Sequence, residues 1–265
     1  MLARFPLLAF FVLTFAITWG VGGLGLVIEL ASPDAGAAAA GPLLFLAGYG
    51  PTLAGLLLTL ALAGRSSVVA LLGKAIPQRA NRPWYLAVAV GYPTLMLAVG
   101  GAFDVPTPAA KTFVATPPDA LAMLGLLAAA LVVDTGPLGE EFGWRGFALP
   151  RLLQRFSPLI ASVLLGSIWA AWHLPAFFLP HSPLSRIPFL LFLAGAIALS
   201  LLMTWLYQRS RGDLGLLIVA HAAANSCAGA IDFHWFTGLN GALALGVMLS
   251  TRFARTASAS GAARP

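Results

Sequence analysis

Residues 187–208 read IPFLLFLAGAIALSLLMTWLYQ and contain no charged side chain. A helix needs about 20 consecutive apolar residues to cross the hydrocarbon core of a bilayer. This stretch meets that requirement, and similar uncharged runs recur along the 265-residue chain. The stretch therefore predicts a transmembrane helix, and its repetition predicts a polytopic membrane protein.

The composition of the whole chain agrees with this prediction. Apolar residues make up 59% of the chain and charged residues 9%, whereas an average soluble domain has about 25% charged residues. The mean hydropathy is +0.89. The chain has too few polar residues to cover a surface in water. As a whole it is therefore neither a soluble globular enzyme nor a disordered tail. Its single cysteine, Cys227, excludes a module held by internal disulfides.

Eight uncharged runs predict an all-α bundle of about eight transmembrane helices. The first run is too long for the core of a signal peptide, so we interpret it as a retained anchor. We treat residues 1–253 as a single transmembrane domain and residues 254–265, rich in Ala, Ser, Gly and Arg, as a disordered tail. The predicted spans are residues 5–28, 35–64, 83–103, a run that begins at 120, a run that begins near 157, and residues 187–208, 214–231 and 235–251. Asp213 precedes the seventh run and is predicted to cap that helix at its N-terminus.

The positions of Lys and Arg predict the orientation of the bundle. Thirteen of the 15 basic residues, Arg145, Arg151 and Arg155 among them, fall on one side of the predicted spans, and only Lys111 and Arg186 fall on the other. Because basic residues concentrate in cytoplasmic segments, both termini are predicted in the cytoplasm. The net charge of +6 then reflects topology in a plasma membrane with anionic lipid on its inner face, not binding to nucleic acid.

Four polar side chains are expected to meet at membrane depth. Ionisable residues are costly there and by default mark a functional site. His221 and Asn225 are four residues apart, so they project from one helix face. Glu140 and His173 lie 17 and 16 residues from Ser157, where a turn is predicted, so they would face each other in a helical hairpin about 25 Å from that turn. Taken singly, these residues and Asp134 would be better explained as structural hydrogen-bonding groups.

The adjacent glutamates Glu140 and Glu141 are predicted to have different roles. They point about 100° apart on a helix. Glu141 shares a helix face with Asp134 and Arg145 and can pair with Arg145 at i, i+4. Glu140 is then left available for chemistry.

The chemistry that this set allows is hydrolysis by water. A carboxylate and an imidazole can hold and deprotonate a water molecule, and an imidazole with a carboxamide can donate hydrogen bonds to an oxyanion. The same four side chains can also hold one divalent metal such as zinc. At the level of sequence both alternatives, a metal-free site and a metal site, stay open.

Three motifs resemble those of a known family. Residues 139–146, GEEFGWRG, resemble the EExxxR motif of the CPBP family, which contains CAAX prenyl endopeptidases and bacteriocin-processing proteins. Residues 169–173, WAAWH, resemble its second motif, and residues 221–225, HAAAN, its HxxxN motif. The resemblance covers roughly residues 120–231. Trp169 stands where Phe is more usual, and we expect its ring only to pack.

The resemblance implies an eight-helix intramembrane endopeptidase that opens to the cytoplasm. It implies that Glu140 and His173 activate water and that His221 and Asn225 stabilise the oxyanion. Glu141 and Arg145 would support these residues. The implied site therefore consists of Glu140, Glu141, Arg145, His173, His221 and Asn225. The implied substrate is a membrane-associated protein or peptide, prenylated or not, and the implied cofactor is either none or one divalent metal such as zinc.

Two other functions fit the same fold. The first is a non-catalytic membrane protein, such as an immunity factor or scaffold. The second is a proton-coupled transporter, which is less favoured because the chain lacks paired, interrupted half-helices.

The prolines that follow His173, beginning with Leu174-Pro175, predict that the fifth helix breaks beyond His173. The segment after the break is expected to be irregular or re-entrant and to gate the substrate.

Overall fold

The computed structural model describes residues 3–102, 125, 135–179 and 182–250. Within these ranges the regular secondary structure is helical and no strand is found, which confirms the all-α prediction. The predictions for Asp134, for the start of the fourth span and for the tail at 254–265 fall outside the described residues.

Helices occupy most of the described residues. α1 covers Pro6–Ala31, α2 covers Pro33–Gly48, and α3 covers Gly50–Gly73. A 3₁₀ turn at Arg79–Asn81 leads into α4 at Arg82–Leu86, a π-helical turn at Ala87–Gly91 and α5 at Tyr92–Ala102. The remaining helices are α6 at Thr135–Gly143, extended by a π-helical turn at Trp144–Ala148, α7 at Leu149–Leu153, α8 at Pro158–Trp172, α9 at Leu174–Phe177, α10 at Phe189–Arg209, α11 at Leu214–Ala230 and α12 at Phe233–Ser250.

Several of these helices are suited to a membrane. In the part of the chain that the structure describes, four segments are long and apolar enough to span one: Pro6–Ile28, Gly41–Gly73, Arg79–Gly100 and Phe189–Arg209. The helices α8 and α11 are shorter and apolar. These six segments coincide with six of the predicted spans, and α12 coincides with the eighth. The protein is therefore an integral, multi-pass membrane protein, while the count of eight and the orientation of the termini stay predictions.

The second predicted span, residues 35–64, ends at a kink in the structure as predicted, but it is not a single helix. The helix stops at Gly48, and α3 begins at Gly50 and continues to Gly73. α3 is kinked at Gly64, whose φ of 79° and ψ of 179° are non-helical and are adopted by glycine without strain, so the predicted end at residue 64 coincides with a break in the helix. The hydropathy of the run could not reveal this path, because both sides of the break at Tyr49 are apolar.

α6 occupies the centre of the fold and packs closely against α2 and α3. A Cβ atom at Gly139 would lie 2.5 Å from the carbonyl oxygen of Gly48, and one at Gly143 would be blocked by the carbonyl oxygen of Pro51. Two glycines one turn apart thus allow the backbones to approach. Since that face is pressed onto α2 and α3, Glu140 and Glu141 face other directions.

The fifth predicted span ends where the prolines indicate. α8 ends at Trp172 and His173 is its C-cap, after which α9 is only four residues long. The indole of Trp19 in α1 donates to the carbonyl oxygen of Trp172 at 3.0 Å and satisfies that helix end. The predicted break beyond His173 is confirmed, and the gating role stays a prediction.

Asp213 caps α11 as predicted and also ties this helix to α4 and to the chain just before it. Its Oδ1 accepts hydrogen bonds from the backbone N–H of Leu216 at 3.0 Å and the hydroxyl of Tyr85 at 2.9 Å. Its Oδ2 accepts from the side chain of Asn81 at 2.8 Å and the backbone N–H of Gln78 at 3.2 Å. The N-terminus of α11 is therefore fixed, and the position of every residue along α11 depends on it.

Candidate active site

One cavity of about 520 Å³ is lined by all four residues that the sequence predicts to converge. Glu140 comes from α6, His173 from the end of α8, and His221 and Asn225 from α11. Glu140 and His221 are buried, with 4% and 2% of their surface exposed. The remaining lining is largely apolar, so the four polar groups face an otherwise apolar cavity.

Glu141 does not line this cavity and instead binds two side chains. It is fully buried, and its Oε1 accepts from Nη1 of Arg145 at 2.8 Å and from Nδ1 of His221 at 2.7 Å. The predicted pair with Arg145 is confirmed. The bond to His221 was not predicted, because the two residues lie 80 positions apart and on different helices.

Arg145 lies in the site and not in a cytoplasmic loop, which corrects its place in the charge count. It is 1% exposed and belongs to the π-helical turn that follows α6. Such turns widen a helix by one residue and re-aim its side chains. Removing Arg145 from the cytoplasmic set still leaves the strong excess of basic residues on that side.

The carboxylate of Glu140 is held by two indole groups. Its Oε2 accepts from Nε1 of Trp144 at 3.2 Å and from Nε1 of Trp169. The expectation that the ring of Trp169 only packs is therefore wrong, because an indole has an N–H donor that a phenyl ring lacks. Neither bond uses Oε1, the other oxygen of Glu140.

The imidazole of His173 is fixed in one tautomer. Its Nδ1 lies 2.8 Å from the carbonyl oxygen of Trp169. A carbonyl oxygen only accepts, so Nδ1 carries the hydrogen and Nε2 of the neutral ring has a lone pair. His173 can thus accept a proton at Nε2.

The imidazole of His221 is oriented by Glu141. An ionised carboxylate only accepts, so Nδ1 of His221 donates to it. A neutral ring with its hydrogen on Nδ1 has none on Nε2. Nε2 can therefore donate to a substrate oxygen only if the ring is an imidazolium. With His221 in that form, the positive charges of Arg145 and His221 balance the negative charges of Glu140 and Glu141.

The arrangement does not fit a resident metal ion. Among the residues that the structure describes, no three His, Cys, Asp or Glu side chains are grouped closely enough to hold one. Oε2 of Glu140 is also engaged by two N–H donors, which present their hydrogens where a cation would lie.

The fold and the cavity define a class: a multi-pass, all-α membrane protein with a buried cluster of Glu, His and Asn in an apolar cavity. Residues 121–227 match the model of the family described as type II CAAX prenyl endopeptidase Rce1-like. CAAX prenyl protease 2 of Methanococcus maripaludis is 33% identical over 92 residues, which are 32% of this chain and 34% of that protein. The chain thus aligns with about a third of the length of this curated relative. The similarity to this family covers residues 121–227, the part of the chain that contains all three motifs.

Proposed function

We propose that this protein is an intramembrane endopeptidase that hydrolyses a peptide bond of a membrane-associated substrate. The observation that carries the proposal is the convergence of Glu140, His173, His221 and Asn225 on one cavity from three separate helices. Single buried polar residues often serve packing. Four polar residues that face the same cavity are suited to catalysis. Among them, His173 has a lone pair at Nε2, and His221 is oriented by Glu141.

Glu140 and His173 are proposed to activate the water. A water molecule between them donates one hydrogen to Glu140 and the other to Nε2 of His173. As its oxygen attacks the carbonyl carbon of the substrate, one of these groups takes its proton. That proton then passes to the leaving nitrogen when the tetrahedral intermediate collapses, so the products are a carboxylic acid and an amine.

His221 and Asn225 are proposed to stabilise the oxyanion. Nε2 of the imidazolium and the amide of Asn225 lie one turn apart on α11 and donate to the oxygen that becomes negative. The carboxylate of Glu141 holds the imidazolium from the other side, and Arg145 fixes that carboxylate. In an apolar cavity such donors act more strongly than in water.

The proposed substrate is a protein or peptide that reaches the cavity from the membrane. The apolar lining suits a hydrophobic segment, and the name of the relative, CAAX prenyl protease 2, supports a prenylated C-terminus as one such substrate. We place the protein in the plasma membrane with both termini in the cytoplasm, which the excess of basic residues on that side supports.

The test is a cleavage assay on purified protein in liposomes. Membrane-anchored peptides, prenylated and unprenylated, are incubated with wild type, with Glu140→Gln and with Asp232→Asn, and products are identified by mass spectrometry. Asp232 is the matched control, since its carboxylate is 51% exposed and pairs with His234. A chelator arm and a zinc arm run in parallel.

Cleavage by wild type and by Asp232→Asn, lost in Glu140→Gln and insensitive to chelator, is the expected result. Cleavage that survives Glu140→Gln would refute the mechanism. Loss with chelator and recovery with zinc would replace water activation by side chains with a metal site. A protein that binds peptides and cleaves none in any arm would instead favour the scaffold or immunity function.

A further inference from the structure

Trp169 contacts four residues of the candidate site: Glu140, Arg145, His173 and His221. Its indole N–H donates to Glu140, and its carbonyl oxygen accepts from Nδ1 of His173. The guanidinium carbon of Arg145 lies 4.8 Å from the centre of its ring. The ring also meets the imidazole of His221 edge-on at 5.4 Å. One residue thus joins the groups proposed to activate water to those proposed to stabilise the oxyanion.

Packing alone does not explain the indole at this position. A phenyl ring, usual at this motif position, also packs but cannot donate to Glu140. Elsewhere in the described chain, the indole nitrogens of Trp172 and Trp205 are buried without a hydrogen-bond partner. Buried indoles in this protein are therefore tolerated without one, and the donation from Trp169 to a carboxylate is a specific feature of the site.

We propose that Trp169 is a positioning residue that sets the geometry of the water-activating pair, an inference that rests on the proposed function. Its side chain holds Glu140 through Oε2, and its backbone holds His173 in the tautomer with Nε2 available. Because both bonds originate from one residue, the distance between carboxylate and imidazole is fixed by the position of Trp169. Trp144 adds a second donor from the helix that carries Glu140.

Loss of the N–H is expected to lower kcat and to leave KM unchanged. A hydrogen bond to a charged group, if fully used in the transition state, corresponds to about a 10- to 100-fold change in rate. The N–H of Trp169 is engaged with Glu140, so substrate binding does not depend on it. A packing defect, in contrast, would lower thermal stability and disturb the whole cavity, and would change KM as well.

The test replaces Trp169 in the full-length protein in two ways. Trp169→Phe removes the N–H and part of the ring. Incorporation of benzothienylalanine at position 169 keeps the two-ring shape and removes only the N–H. The matched control is Trp205→Phe, because Trp205 lies outside the cavity lining and its N–H donates to no described group. For each protein kcat, KM and Tm are measured in liposomes or detergent.

A second readout does not depend on cleavage. The infrared difference spectrum between each protein and its Glu140→Gln derivative isolates the carboxyl band of Glu140. Removal of the Trp169 donor is expected to shift that band, and Trp205→Phe is expected to leave it in place. If the wild type cleaves nothing, the proposed function fails, and the infrared shift still reports whether Trp169 holds Glu140.

The expected result is a kcat lowered at least 10-fold by both replacements at position 169, with KM within about twofold of wild type. The Glu140 band shifts in both, and Trp205→Phe matches wild type. Full kcat and an unshifted band with benzothienylalanine would overturn the proposal, since they would show that the ring acts by shape alone.

Discussion

Two buried polar clusters sit among the apolar helices, and they differ in how completely their hydrogen bonds are made. In the first, which we call the Asp213 cluster, four donors serve the two oxygens of Asp213. In the second, the Glu140 cluster of Glu140, Glu141, Arg145, His173, His221 and Asn225, Oε2 of Glu141 and Nε and Nη2 of Arg145 have no partner among the described residues.

A structural cluster and a candidate functional one differ in their access to the cavity. Complete pairing compensates the cost of burying polar atoms and stabilises the fold. In the Glu140 cluster the unpaired atoms belong to Glu141 and Arg145, which do not line the cavity, whereas Glu140, His173, His221 and Asn225 do. Asp213 is fully buried but does not line the cavity, whereas Glu140 does. Burial of a carboxylate therefore marks a candidate site only together with a cavity.

The largest decrease in kcat is expected for His173→Gln. The change removes the lone pair at Nε2 and should lower kcat by about 10² to 10⁴, with Tm close to that of wild type. His234→Gln is the control, since His234 is 71% exposed and pairs with Asp232. Cleavage kinetics and thermal unfolding are measured for both. Equal kcat values for the two variants would break the assignment of His173.

An intermediate effect is expected for Asn225→Ala. Removal of one oxyanion donor should lower kcat by about 10² to 10³. Asn240→Ala is the matched control, because Asn240 is buried and bonds to Tyr92 and to the carbonyl oxygen of Phe236. It should lower Tm and keep kcat per folded molecule. If Asn225→Ala instead lowered Tm and kept kcat per folded molecule, Asn225 would have a structural role and no catalytic one.

The smallest effect is expected within the Asp213 cluster, for Tyr85→Phe. It removes one of the four hydrogen bonds to Asp213 and should reduce stability by about 1 kcal/mol without a change in kcat. The measurement is the midpoint of unfolding in detergent beside the cleavage rate. A drop in kcat at constant stability would show that this cluster also takes part in the reaction.

The features that were predictable from sequence are local along the chain. The pair of Glu141 and Arg145 follows from i, i+4 spacing, the cap by Asp213 from its position before an apolar run, and the break after His173 from the prolines. Each depends on residues within one or two helical turns.

The features that sequence did not reveal depend on how helices rotate against one another. The bond from His221 to Glu141 joins residues 80 apart, and that from Trp169 to Glu140 joins residues 29 apart. Their only sequence signals were two adjacent carboxylates with one nearby Arg, and an indole where a phenyl ring is usual. The break between α2 and α3 was hidden because hydropathy reports apolar length and not the path of the backbone.

The central claim is that the Glu140 cluster serves catalysis and the Asp213 cluster serves stability. It is tested most directly by the same carboxylate-to-amide change in each, Glu140→Gln and Asp213→Asn, with kcat and Tm measured side by side. The account predicts that Glu140→Gln abolishes cleavage at an unchanged or raised Tm, and that Asp213→Asn lowers Tm while kcat per folded molecule is retained. Wild-type cleavage by Glu140→Gln, or loss of cleavage in Asp213→Asn at an unchanged Tm, would contradict it.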